Sequence, residues 1–453
     1  MNRLPSACMK SLLAISEAAK RIPTAGTTTH SQQSKIWSLH ALIQLTNDFA
    51  SDVNVRKTVA DTLLKDVKLR LAQQHGLCLA MKKAIQDSDV LDHSGQNEGN
   101  SQIIPARMNL AFAAPKDILL YRKRSLKIVD DLEAMHADTY RLIWQLYNKN
   151  INDQLKTPKI LTNFTPANES LISGLFEQIR SRHAHSVDSL AHLVVSHRKL
   201  VDSNLDSNMD NIMRICSSFL QGRLVIQLLC DHYVGMHKQT KTNRSKETEL
   251  VMKHGSVSIG CNLWTIVKDA VAEASAICET NMGTTPEVYV VSNKTDEKYN
   301  ISMADKYLVS HPITLVQPWV HHCLVEVLKN GMQACAQKNF REPSPLVITI
   351  NSDESYTYIR IRDYGVGLDN FGISKAFEFA VTGQSKELWD RLQHQQSYAA
   401  VTTPLSGLGV GLPLSKMMLE MFGGSLHLEP INDGKGGLAS IISLNTNLNH
   451  QFG

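Results

Sequence analysis

No two of the eight cysteines (Cys8, Cys78, Cys216, Cys230, Cys261, Cys278, Cys323, Cys335) stand in a Cys-x-x-Cys pair. That scatter excludes the common zinc spacings and a disulfide framework, and leaves buried thiols of a reducing compartment. No apolar run reads as long enough to span a membrane, so no membrane insertion is expected. The net charge is only +4, too small to imply a nucleic-acid partner. Internal repeats are absent. Against these absences stand 43% hydrophobic and 20% charged residues, the balance of a soluble globular protein. At 453 residues the chain is too long for one core and predicts two domains plus a tail.

Acidic residues are almost missing from residues 1–35. Arg3, Lys10, Lys20, Arg21 and Lys35 face a single acid, Glu17, among serine, threonine and alanine. Residues 9–20 can form a helix with Leu12, Leu13 and Ile15 on its apolar side. A basic, acid-poor, amphipathic start is the profile of an organelle transit peptide, with a disordered tail as the plainer reading.

Residues 36–237 are expected to form a helical bundle. Apolar residues recur three and four apart over 37–71, 118–147, 169–202 and 209–237, the spacing of antiparallel helices packed on one another. The polar run 238–249 reads as a linker. From residue 250 to 453 strands alternate with helices. Strands are predicted at 287–292, 346–351, 356–362, 425–428 and 439–444, with Gly434–Gly437 turning the last pair, and helices at 263–280, 318–337 and 412–422. In 356–362, Ile359 and Ile361 share one face and Arg360 and Arg362 the other. The fold class expected is a helical bundle followed by an α/β sandwich with helices covering one sheet face.

Three constellations in this second half carry chemistry. In His322-Cys-Leu-Val-Glu326-Val-Leu-Lys329-Asn330, residues four apart stack on one helix face, so His322, Glu326 and Asn330 form a polar stripe opposite Leu324 and Leu328. An amide oxygen beside a carboxylate suits magnesium–phosphate work: the first is a hard ligand, the second a proton acceptor. Asp363-Tyr-Gly365-Val-Gly367-Leu follows the alternating strand. Asp363 shares the parity of Ile359 and Ile361 and points to the covered side, where a carboxylate is costly without a partner such as an adenine amino group. Gly407-Leu-Gly409-Val-Gly411-Leu412-Pro leads into a helix and offers bare backbone N–H groups and a helix N-terminus to phosphate. Singly, these read as a solvated helix face, a strand-ending turn and a glycine loop. Their order over about ninety residues points to an ATP site.

In that order the boxes resemble the N, G1 and G2 boxes shared by histidine kinases, type II topoisomerases, mismatch-repair ATPases and heat-shock chaperones. The wording around His322–Asn330, together with residues 255–279, resembles the mitochondrial pyruvate and branched-chain 2-oxoacid dehydrogenase kinases. Upstream, residues 178–183 and 219–232 are similar to two helices of their regulatory bundle. The resemblance implies a mitochondrial-matrix protein-serine kinase with ATP and Mg²⁺ as cofactors. It further implies a homodimer whose partners are the E1 substrate of a 2-oxoacid dehydrogenase complex and the lipoyl domain of its E2. Glu326 is then the general base and His322 tunes it, Asn330 holds the metal, and Asp363 reads adenine. Lys329, Gly365, Gly367, Thr382, Gly407, Gly409, Gly411 and Leu412 complete the nucleotide site, and residues 369–406 form a lid.

The sequence departs from that family in four places, one of them the segment around Met108–Arg141, which matches its usual N-terminal pattern poorly. Gly437 stands where a threonine is usual, Gln227 where an arginine is usual, and the chain runs only to Gly453 after the last strand. Two other classes therefore remain open. One is a catalytically weak ATP-binding relative acting as a scaffold or assembly factor. The other is a two-component histidine kinase, for which His183, His185 and His197 lack the acid-then-proline context of a phospho-acceptor.

Overall fold

The computed structural model describes residues 10, 12, 13, 35–50, 52–87, 115–147, 161, 164–201, 206–241, 252–291, 298–301, 312–381 and 409–452. They fall into two compact units, one of residues 1–35 and 57–230 and the other of residues 36–56 and 231–453. Most of the basic leader and of the 238–249 linker lies outside the described residues.

The first unit is helical. It holds most of α2 (Val53–Asp87), α3 (Pro115–Tyr147), α4 (Pro166–Arg182), α5 (Ser186–Val201) and α6 (Asp206–Lys241) up to Cys230. Periodicity alone predicts one helix over 169–202, but the chain turns at residues 183–185. The cause is tertiary. Arg223 on α6 donates to the His183 and Ala184 carbonyls and to Ser186 Oγ, so groups that a continuous helix would satisfy internally are satisfied from outside. The second arginine-type position, Gln227, accepts from Arg223 Nη1 at 3.0 Å; a neutral acceptor there avoids a pair of adjacent guanidinium charges.

Residues 209–241 do reach membrane-spanning length, and an 18-residue window within them has a mean hydropathy of 1.2, which a reading for unbroken apolar runs overlooks. About 56% of that window is buried inside the protein, as for the core helix of a bundle.

Two histidines lie at the centre of this unit. His136 and His183 meet edge to face at 4.5 Å. His136 Nδ1 donates to the Leu132 carbonyl. Thr139 gives its hydroxyl proton to the Met135 carbonyl, so His183 Nε2 is the donor in its 3.0 Å bond to Thr139. Burial drives both rings to the neutral form, His136 down to about 4 and His183 to about 2, with His75 lowering the first further and His136, Arg223 and Arg182 the second. Because these values lie below the unfolded 6.5, the stabilisation is complete above that pH and is lost as pH falls, when the unfolded chain takes up protons the folded rings refuse. We expect each histidine to cost on the order of 1 kcal/mol per pH unit below 6.5. Urea midpoints compared at neutral pH and near pH 5 should show the drop. His197 and His232, also lowered to about 4 by burial, contribute to it, so His136→Phe should reduce it by roughly a quarter, and an unchanged drop would exclude His136 as a source.

The second unit gathers α1 (Leu39–Phe49) with the strands and helices after residue 231. Ser38 caps α1 by accepting from Ala41 N. Trp37 and Phe452 exchange backbone hydrogen bonds of 2.7 Å in each direction, and Phe452 packs on Phe422, which packs on Trp319. A predicted 37–71 helix is thereby split after Phe49, and Asp52 opens the next helix by accepting from Arg56 N. His232 anchors the same region. Ser256 N donates to its Nδ1, so Nε2 carries the proton and gives it to the Leu42 carbonyl.

A small sheet of β1 (Met252–His254), β2 (Val257–Asn262) and β5 (Pro312–Leu315) lies in order β1-β2-β5. The main sheet is built from β3 (Val288–Val291), β4 (Lys298–Asn300), β6 (Leu346–Ser352), β7 (Tyr356–Arg362), β8 (Ser425–Pro430) and β9 (Leu438–Asn445), ordered β4-β3-β6-β7-β9-β8. Only β3 and β6 run parallel among these pairs. Alternation sets its two faces. Val290, Ile348, Ile350, Ile359, Ile361, Ile442 and Leu426 are buried, whereas Arg360, His427 and Glu429 on the other face are exposed. Among the described residues, α7 (Leu263–Met282), α8 (Gln317–Lys338), α9 (Asn370–Ala376) and α10 (Gly411–Glu420) complete the unit. Asn262 caps α7, accepting from Trp264 N, and Gly283 ends it at φ 71°, the left-handed stop that glycine permits.

Candidate nucleotide site

The backbone of the site is α8. Pro318 sits in its first turn, where a missing N–H costs nothing. Leu324 and Leu328 are fully buried, which fixes the helix rotation and leaves His322, Glu326 and Asn330 along the other side, half-buried, half-buried and exposed respectively. Lys329 pairs with Glu326 Oε1 at 2.6 Å and so orients the carboxylate. His321 lies 3.7 Å from Glu273 of α7, leaving His322 as the histidine of the Glu326 stripe. Burial lowers the His322 pKa, opposed by the Glu326 charge, so a neutral ring lies beside the carboxylate near pH 7.

Glu326 meets the glycine loop. A Cβ on Gly411, the first residue of α10, would overlap Glu326 Oε2; only glycine lets the carboxylate lie against this helix start. Val410 caps α10 without a side-chain hydrogen bond, so the first-turn N–H groups keep their capacity for an anion. Gly409 has φ 68° and would strike the Val381 carbonyl with any side chain, while Ala380 N donates to Gly409 O at 2.9 Å. Ala380 itself has φ 58°, a conformation alanine rarely adopts. That detail depends on the Gly409 contact and has no local sequence signal. Leu412 is half-buried in the first turn of α10. Thr382 and Gly407 lie outside the described residues, as does residue 382 onward of the expected lid, whose described part contains the short helix α9 capped by Asp369.

At the other end of α8, Asp363 leaves β7 toward the covered face and is buried. Its Oδ1 accepts from Gly365 N at 2.9 Å and Leu438 N at 3.3 Å. Burial raises its pKa and these backbone donors oppose the rise. The cradle around it is made of glycines. A side chain on Gly365 would run into the Ala334 backbone, and Gly331 brings α8 close to Asp363. Gly437, at φ 98°, would strike the Asp363 carbonyl with any Cβ. A threonine is therefore excluded at that position in this conformation. These glycines let the backbones of α8, the Asp363 loop and the Gly437 turn pack directly against one another around the carboxylate.

The site thus has a carboxylate and a helix N-terminus at one end and a buried acceptor at the other, joined by α8. Residues 316–446, which contain both ends, match the family described as histidine kinase-, DNA gyrase B- and HSP90-like ATPase. Residues 122–261 match the family described as mitochondrial branched-chain alpha-ketoacid dehydrogenase kinase. Over these two segments the chain is similar to the mitochondrial dehydrogenase kinases. Similar proteins include pyruvate dehydrogenase (acetyl-transferring) kinase isozyme 4 of Rhinolophus ferrumequinum, 22% identical over 69% of this chain and 68% of the relative. The pyruvate dehydrogenase (acetyl-transferring) kinase of Schizosaccharomyces pombe is 26% identical over 56% of this chain and 54% of its own. Isozyme 3 of Homo sapiens is 24% identical over 66% and 65%.

Proposed function

We propose that this chain is a mitochondrial protein-serine kinase that uses Mg-ATP to phosphorylate the E1 subunit of a 2-oxoacid dehydrogenase complex, pyruvate or branched-chain, and so inactivates it. The observation that carries the reading is the seating of the Glu326 carboxylate against Gly411 at the start of α10. A proton acceptor there faces the helix end best suited to the transferring phosphate. Catalysis in such a site is mostly positioning and charge neutralisation. Glu326 takes the proton of the attacking serine hydroxyl, Lys329 holds that carboxylate, and neutral His322 tunes it. Asp363 accepts from the adenine amino group between Gly365 and Gly367. Gly409, Gly411 and Leu412 shape the phosphate end, and Gly407 and Thr382, outside the described residues, belong to the same proposed site.

Asn330 presents a hard amide oxygen one helical turn from Glu326. Among the described residues no three His, Cys, Asp or Glu side chains converge on a metal position. Mg²⁺ would be held here by Asn330 together with water and the nucleotide's own phosphates, its usual mode of binding. It would supply charge neutralisation there. The basic leader and the relatives' mitochondrial names support import into the matrix. A homodimer and docking of an E2 lipoyl domain belong to the same reading.

Gly437 favours a second reading, an ATP-binding scaffold, because the usual threonine hydroxyl is missing beside Asp363. The two separate in one assay. Purified pyruvate and branched-chain complexes are incubated side by side with the protein and Mg-ATP, and their dehydrogenase activities followed. The kinase reading expects one complex to lose activity in an ATP-dependent way. Undiminished activity of both, with ATP bound to the protein, would leave the scaffold.

A further inference from the structure

The polar stripe of α8 does not end at Asn330. Steps of four carry it on through Ala334 to Lys338 in the last turn, and both later positions touch the nucleotide loops. Ala334 lies under Gly365, and its carbonyl accepts from Val366 N. Lys338 Nζ donates to the Tyr364 carbonyl at 2.8 Å and to the Lys435 carbonyl at 2.9 Å. These carbonyls belong to two loops separated by about seventy residues. One carries Asp363 and Gly365; the other is the Gly434–Gly437 turn that leads to Leu438. Asp363 Oδ1 needs both, since it accepts from Gly365 N and Leu438 N.

Few side chains are available to hold the second loop. Gly434, Gly436 and Gly437 all have positive φ and contribute no side chain. Besides the Lys435 N bond to Asp433 Oδ1 inside the turn and the Leu438 N bond to Asp363, two cations reach it from outside: Arg362, which pairs with Asp433, and Lys338, which grips the Lys435 carbonyl. A charge-assisted hydrogen bond is the stronger kind, and two from one ammonium tie the loops to each other as well as to α8.

We infer that Lys338 is a positioning residue of the nucleotide site, the clamp that sets the Asp363 carboxylate for adenine in a chain whose glycine turn lacks the family's threonine. The inference rests on the reading of this site as an ATP site. It predicts an effect on base recognition, with the phosphate end around Glu326 and Gly411 unaffected.

The test is calorimetry of Mg-ATP and Mg-GTP with wild type, Lys338→Met and Lys338→Arg, alongside thermal melting. Methionine keeps the length of the side chain and removes its donors. Lys338→Met should weaken ATP binding about tenfold, the scale of losing a charge-assisted contact. It should narrow the preference for ATP over GTP and leave the melting temperature near that of wild type. Lys338→Arg, with several donors, should recover most of both affinity and preference. Where transfer is measured, KM for ATP should rise while kcat at saturation stays the same. Wild-type affinity and base preference in Lys338→Met would overturn the clamp. So would a uniform loss of ATP and GTP binding together with melting temperature, which marks a merely structural role. A wild-type protein that binds neither nucleotide would instead overturn the ATP-site reading itself.

Discussion

Glu326→Gln should lower kcat for serine phosphorylation by about a hundred- to ten-thousand-fold, the usual contribution of a general base, while the affinity for ATP stays the same. Glutamine is nearly the same size as glutamate and still offers Lys329 an oxygen, so the 2.6 Å contact and the fit against Gly411 can persist. What it cannot do is accept the hydroxyl proton. His322→Ala should cost less, because the ring acts on the reaction only through the carboxylate. Asn330→Ala should instead weaken nucleotide binding in a Mg²⁺-dependent way, since it removes a metal ligand and no proton acceptor. Steady-state kinetics with titrated ATP and Mg²⁺ distinguish the three patterns. An active Glu326→Gln enzyme would require the base to be sought elsewhere.

The second large effect is expected at Asp363. Alanine there removes the acceptor for adenine and also leaves Gly365 N and Leu438 N without Oδ1, so lost binding and lost stability would be mixed. Asparagine separates them. Its amide oxygen can go on accepting from the two backbone groups, and its NH₂ then faces the adenine amino group, donor against donor. Asp363→Asn should therefore lose about a hundredfold in ATP affinity, from one lost bond and one unsatisfied buried donor, with a melting temperature close to wild type. Equal ATP affinity for the two proteins, read by calorimetry, would remove Asp363 from adenine recognition.

The nucleotide boxes were legible because each is local. Helical spacing alone puts Glu326 and Asn330 on one face, and strand parity alone sends Asp363 inward beside Ile359 and Ile361. The contacts between boxes were not, because they join residues far apart in the chain: Gly411 against Glu326, Gly437 against the Asp363 carbonyl, Lys338 across both loops. Lys338 still had a signal, two turns beyond Asn330 on the same stripe. In the bundle, periodicity found the helices and missed their breaks. The turn at 183–185 exists because Arg223 supplies hydrogen bonds from another helix, which no window of neighbouring residues contains. The strands β1, β4 and β5 are three or four residues long and lack the unbroken apolar run after a proline that marks the equally short β3. The predicted edges of the longer strands and of α7 and α8 lie within a few residues of those observed.

The most direct test of the whole account is transfer of labelled γ-phosphate from Mg-ATP to a purified E1 subunit under single-turnover conditions, followed by acid treatment of the product. The account predicts an acid-stable phosphoserine on E1, formed by wild type and strongly slowed in Glu326→Gln. ATP binding with no label on any E1, or an acid-labile label on the protein's own histidine, would contradict it.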